Sequence, residues 1–278
     1  MPAAILPSRR RNYILSLARP SNIRGRSRTK RLMSDSTIDE TEVARFAALA
    51  DKWWDPGGDF KPLHRLAPAR LSFIREHLLA HFGRDPRAAR PFDGLSLLDI
   101  GCGGGLASEP MARLGFQVTG VDAAGPNIQA AQRHADEVGL TINYRHAAAE
   151  DLARAGETFD VVLALEIIEH VASPGLFLES VSALVRPGGC AILATINRTA
   201  KSFMLAIVGA EYLLRWIPRG THDWRKFLRP SEIARGLRPH GLSIGALAGV
   251  TYSPASDSWA LSQDHEVNYM IFAKKRAL

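Results

Sequence analysis

The sequence predicts an α/β fold: a mostly parallel sheet covered by helices on both faces. Three observations carry that expectation. Short apolar runs alternate with segments of helical periodicity between residues 95 and 196. Those runs are continuous rather than alternating, as strands buried on both faces require. Glycine turns punctuate them, Gly101–Gly105 after the first run and Arg186-Pro187-Gly188-Gly189 before the fifth.

Taken in order, the first element is a helix capped by Thr37 or Asp39 and running through Glu42, Val43, Phe46, Leu49 and Ala50, apolar at spacings of three and four. Trp53-Trp54-Asp55-Pro56-Gly57-Gly58 forms a turn cluster, and a second helix covers Ala67 to His81. A polar, proline-bearing linker over 83–94 closes this helical cap of residues 33–94. The domain of residues 95–278 then alternates. Its strands are Leu95–Ile100, Gln117–Asp122, Ile142–His146, Phe159–Leu165 and Cys190–Ile196, and its helices Leu106–Leu114, Pro126–Val138 and Pro174–Val185. Leu242–Val250 and Val267–Lys274 read as a closing strand pair, and residues 198–229 as an insertion in the core.

The 278 residues suffice for one generous domain and a substantial core. The net charge of +7 is concentrated at the start: residues 1–32 hold nine Arg or Lys and no acid. Without those nine the chain has 26 basic residues against 28 acidic, so a nucleic-acid partner is not expected. The basic tail has two readings, an organelle presequence or translation upstream of a start at Met33. The first would place the protein in the mitochondrial matrix, the second in a bacterial cytoplasm. Cys102 and Cys190 match no zinc spacing and suggest a reducing compartment.

Asp99-Ile100-Gly101-Cys102-Gly103-Gly104-Gly105 follows a strand and opens a helix, where glycine lets the backbone approach a ligand closely. Asp122 ends the next strand, placed to accept hydrogen bonds from ribose hydroxyls or, alternatively, to cap the following helix. Together the two point to a bound nucleoside. The leading Asp99, with glycines at 101, 103 and 105, resembles motif I of class I methyltransferases rather than a dinucleotide loop. Phe159-Asp160-Val161-Val162 and Leu184-Val185-Arg186-Pro187-Gly188-Gly189 resemble further motifs of that class. The resemblance implies S-adenosylmethionine as cofactor and a Rossmann-like sheet of seven strands, the last antiparallel.

Other stretches are similar to the ubiquinone-biosynthesis O-methyltransferases: Trp53-Trp54-Asp55, Phe60-Lys61-Pro62-Leu63-His64-Arg65, Glu166-Ile167-Ile168-Glu169-His170-Val171, Val208-Gly209-Ala210-Glu211-Tyr212, Gly220-Thr221-His222-Asp223 and Val267-Asn268-Tyr269-Met270. That family methylates ring hydroxyls of polyprenylated phenols and catechols, including 2-polyprenyl-6-hydroxyphenol and 3-demethylubiquinol. By position, its cofactor contacts fall on Arg70, Gly101, Asp122 and Leu165, beside Asp99 and Gly103 of the loop. Arg70 would grip the methionine carboxylate, unless it is an ordinary solvated helix charge.

Glu166, Glu169 and His170 follow the fourth strand, at the sheet edge where ligands bind in such folds. On a helix they would share a face and could hold a divalent ion. The resemblance implies magnesium, with these three as ligands. A lone His170 base and a structural helix cap are the alternatives. His64 and His222 lie in family motifs and are secondary candidates.

Ser202–Ile217 is apolar, with basic residues close by, and reads as an active-site lid or an interfacial membrane contact. A polyprenylated substrate, a peripheral place on the inner membrane and a ubiquinone-biosynthesis complex are what the resemblance implies. A methyltransferase for another small phenol, a dinucleotide oxidoreductase and a non-catalytic cofactor binder remain as other readings.

Overall fold

The computed structural model describes residues 36–205 and 223–277. The basic tail, His222 and most of the expected insertion lie outside these residues.

Asp39 caps α1 (Glu40–Ala47), its side chain accepting from the Thr41 and Glu42 amides, so the second of the two candidate caps is the one used. The expected continuation to Ala50 breaks into a separate 3-10 turn, Ala50–Lys52. Helix α2 (Lys61–Phe82) begins a turn and a half earlier than its apolar pattern indicates. Pro62 lies in its first turn, where a missing N–H leaves nothing unsatisfied, so it starts the helix instead of forbidding it. Gly83 ends α2 in the left-handed conformation, at φ 60°.

The alternating core follows: β1 (Ser96–Ile100), α3 (Ser108–Arg113), β2 (Gln117–Asp122), α4 (Gly125–Glu137), β3 (Asn143–His146), α5 (Ala149–Arg154), β4 (Phe159–Leu165), α6 (Pro174–Leu184) and β5 (Val185–Ile196). After α7 (Ala200–Ser202) and the insertion come α8 (Pro230–Leu237), β6 (Leu242–Ser253), β7 (Ser258–Ser262) and β8 (Asn268–Lys275). The strands form one sheet in the order β3-β2-β1-β4-β5-β8-β6-β7. The first five are parallel, and β8 runs antiparallel to both β5 and β6.

The sheet therefore has eight strands, not the expected seven. β6 runs on to Ser253, turns through a left-handed Asp257 (φ 46°) and returns as β7. The serine-rich stretch that makes this hairpin carries no apolar run to announce it. The short α5 and α8 were likewise not anticipated.

Neighbouring strand residues face opposite layers, and both layers are closed. Leu97, Val161, Leu163 and Ile192 pack under α2, α3 and α4, against Phe73, Ile74, Leu78 and Met111. Leu98, Val162, Ala164 and Leu193 pack on the other side against Leu152, Phe177, Val181, Ile233 and Leu237 from α5, α6 and α8. Two-sided burial explains why these strands read as unbroken apolar runs.

Candidate active site

A cavity of about 1160 Å³ opens at the carboxyl ends of β1, β2 and β4. Arg70, Asp99, Gly101, Asp122, Leu165, Glu166, Glu169 and His170 all line it. Gly103, the remaining expected residue, lies beside it under the ring of Trp53.

The loop is built from the sheet outward. Gly101 (φ 68°), Gly103 (φ 53°) and Gly105 (φ 91°) all take left-handed backbone, which glycine alone adopts without strain. The Gly101 amide donates to the Val121 carbonyl at 2.8 Å, pinning the loop to β2. Asp99 is buried, and its carboxylate accepts from Ser108 Oγ at 2.6 Å, which ties the start of α3 to β1. Burial pushes the Asp99 carboxyl up to about 6, the Ser108 bond opposing and the nearby Asp122 charge adding. Asp122 accepts from the Gly103 amide at 3.0 Å with one oxygen, and from the Ala124 amide at 2.7 Å and Asn127 Nδ2 at 3.2 Å with the other. It braces the turn into α4 without capping that helix, whose N-cap is Ala124 with no side-chain cap, and it forms a wall of the cavity.

Arg70 is no solvated helix charge, being only 9% exposed. Its Nη2 forms an ion pair with Glu166 at 3.1 Å, while its Nε is buried without a hydrogen-bond partner. An unmatched buried donor costs on the order of 1–3 kcal/mol, so a ligand carboxylate arriving here would be strongly favoured. With Asp122 on the wall of the same cavity, these groups fit S-adenosylmethionine.

The magnesium expectation fares differently. Glu166, Glu169 and His170 do not share a helical face. Glu166 takes left-handed backbone (φ 52°), and only Ile168–His170 form a 3-10 turn. The chain turns too sharply after β4 for an α-helix, so the three side chains take different partners. Glu166 goes to Arg70, Glu169 accepts from Thr195 Oγ1 at 2.9 Å, and His170 Nδ1 meets Glu42 Oε2 at 3.2 Å. Burial pushes the Glu169 carboxyl up to about 8, the Glu166 charge adding. Among the described residues no three His, Cys, Asp or Glu come together as ligands. This donor set, as arranged, does not fit the ion.

Several residues of the site were not expected. Glu42 and Phe46, on α1, approach His170, Phe46 edge-on at 5.2 Å. They are more than a hundred positions from it in sequence, and no local spacing announces the contact. Asn127 lies behind Asp122. His64 has a backbone role, its Nε2 meeting the Trp53 carbonyl at 2.8 Å.

A methyltransferase-domain family model matches residues 98–193. The ubiquinone biosynthesis O-methyltransferase of Mesorhizobium japonicum is 57% identical over 240 residues, covering 86% of this chain and 96% of that protein. The chain belongs to the ubiquinone biosynthesis O-methyltransferase family. The relative from Paramagnetospirillum magneticum, of the same name, is 52% identical over 239 residues, 86% of this chain and 96% of its own. Among solved structures, magnesium protoporphyrin IX methyltransferase from Synechocystis with bound SAH superposes with a TM-score of 0.57 at 20% identity, over 85% of this chain and 94% of that one. The plantazolicin methyltransferase does so at 0.59 and 15%, over 85% and 98%. Likenesses this distant speak to the fold alone.

In this O-methyltransferase the cavity continues past the cofactor residues into an apolar half. Leu63 and Leu66 of α2 face it from one side, and Val250, Tyr252 and Trp259 of the β6–β7 hairpin from the other. The strand absent from the sequence expectation thus supplies one wall of the O-methyltransferase cleft.

Proposed function

We propose that this chain transfers the methyl group of S-adenosylmethionine to ring hydroxyls of polyprenylated phenols and catechols in ubiquinone biosynthesis, 2-polyprenyl-6-hydroxyphenol and 3-demethylubiquinol among them. One observation carries the reading: a single cavity joins Arg70 and Asp122, suited to the cofactor, to an apolar chamber, with His170 on its wall.

The sulfonium supplies an already activated methyl group. The protein's task is to hold sulfur, methyl carbon and oxygen in line and to remove a proton from the oxygen. A free phenol ionises near pH 10, so a base gives a large advantage at neutral pH. Glu42 meets the Nδ1 side of His170 at 3.2 Å and orients the imidazole, the base of this reading, on the cavity wall. The phenol proton passes to the His170 imidazole, the oxygen takes the methyl group, and the sulfonium becomes a neutral thioether. His170 then returns the proton to solvent.

These steps need no ion. To gather on magnesium, Glu166 would have to leave Arg70 and His170 leave Glu42. The test is methyl transfer from labelled S-adenosylmethionine to a prenylated catechol, with and without a chelator. Product is expected in both. Arrest by the chelator alone would restore the ion and require that rearrangement, and no product in either would sink the reading.

Membrane contact belongs to the same proposal. Phe203, Met204 and Leu205 are 44%, 57% and 54% exposed at the start of the insertion, an apolar run offered to solvent. Among the described residues no helix is long and apolar enough to cross a bilayer. The protein is expected to co-float with anionic vesicles, as a peripheral enzyme on the cytoplasmic face of the inner membrane would. Replacing Phe203 and Leu205 by Ser should weaken that flotation, and wild-type protein that stays at the bottom of the gradient rules it out.

A further inference from the structure

The paired tryptophans before α2 belong to no regular element, yet Trp53 is only 7% exposed. We propose that Trp53 is a positioning residue of the cofactor site, acting through Asn127 on Asp122 and through its ring on the glycine loop. The inference rests on reading the cleft as an S-adenosylmethionine site.

The contacts close a ring. The Trp53 side chain lies so near the loop that a Cβ on Gly103 or Gly104 would fall 2.4 or 2.3 Å from it. Those glycines thus serve the approach of an indole from the N-terminal cap. Trp53 Nε1 donates to Asn127 Oδ1 at 3.0 Å. Asn127, 1% exposed, donates through Nδ2 to Asp122 Oδ1 at 3.2 Å. The other Asp122 oxygen accepts from the Gly103 amide at 3.0 Å, which returns to the loop under the indole.

Chemistry fixes the direction of every bond. An indole N–H only donates and a carboxylate only accepts, so the Asn127 amide has one orientation that satisfies both neighbours. The indole is itself held. Phe60 stacks on it at 3.8 Å and 8°, and His64 holds the Trp53 carbonyl. Trp54 adds a second brace, its Nε1 donating to the Gly104 carbonyl at 2.9 Å while its ring stacks on His134 at 3.5 Å. A carboxylate held from behind in this way keeps its rotamer while its cavity-facing edge meets the ribose, a preorganisation that appears as cofactor affinity.

Trp53→Phe keeps an aromatic side chain in the seat but removes the donor together with the indole atoms that lie over Gly103. In the full-length chain the Kd for S-adenosylhomocysteine, measured by calorimetry, should rise about tenfold, the scale of one buried hydrogen bond left half made. KM for S-adenosylmethionine should rise with it, while KM for a prenylated catechol holds and kcat at saturating cofactor changes by less than about twofold. Asn127→Ala breaks the same ring from the other side with the indole in place, and serves should Trp53→Phe fail to fold. The loss in the double variant should fall short of the sum of the two single losses, because both cut the path from Trp53 through Asn127 to Asp122. Unchanged affinity in the folded Trp53→Phe protein, or equal losses for both substrates, overturns the proposal. Failure of the wild-type chain to bind S-adenosylhomocysteine would instead overturn the reading of the cleft.

Discussion

His170→Ala should lower kcat for methyl transfer by about 10²–10⁴-fold, the usual contribution of a general base, and leave S-adenosylhomocysteine binding near its wild-type value. The imidazole sits on the cavity wall, its Nδ1 taken by Glu42 at 3.2 Å and its ring set by the edge of Phe46. Steady-state kinetics with a series of catechols of falling hydroxyl pKa gives the discriminating readout. A base matters less as the nucleophile ionises by itself, so the most acidic ring should recover most of the lost rate. A uniform loss across the series would assign His170 a structural role instead. Glu42→Gln should reproduce part of the effect with little change in cofactor affinity, because Glu42 lies on α1 and contacts the imidazole.

Arg70→Met should raise the Kd for S-adenosylmethionine by about 10- to 100-fold, the equivalent of roughly 1.5–3 kcal/mol for a hydrogen bond to a charged group. The guanidinium of Arg70 is the reason: its Nε is a buried donor without a hydrogen-bond partner, on the cavity wall. Removing the guanidinium also leaves Glu166 without its cation, so some loss of Tm is expected, and binding is to be compared at a temperature where both proteins are folded. Methylthioadenosine separates the two effects. It carries the nucleoside without the amino-acid carboxylate and should bind wild type and variant alike. If it too is lost, Arg70 supports the fold rather than gripping the carboxylate.

The parallel half of the sheet was legible in the sequence because its strands are buried on both faces and carry unbroken apolar runs, from Leu97-Leu98 to Ile192-Leu193. The glycine loop and Asp122 were legible because their spacing is local. Three things were not. β7 hides in a serine-rich stretch, where a five-residue edge strand needs no apolar run. Glu42 and Trp53 reach the site from the N-terminal cap, and contacts across such separations leave no periodicity to read. The shared face expected of Glu166, Glu169 and His170 assumed a helix after β4, whereas a left-handed Glu166 and a 3-10 turn send the side chains to different partners. A residue triplet one helical turn apart is evidence for a cluster only if the helix is there.

Calorimetric titration of the full-length chain, first with S-adenosylhomocysteine and then with NAD, bears most directly on the cleft between β1 and β2. One equivalent of the thioether should bind and the dinucleotide should give no heat, as an amino-acid carboxylate seat at Arg70 requires. Binding of NAD, or silence with the thioether, would contradict the account.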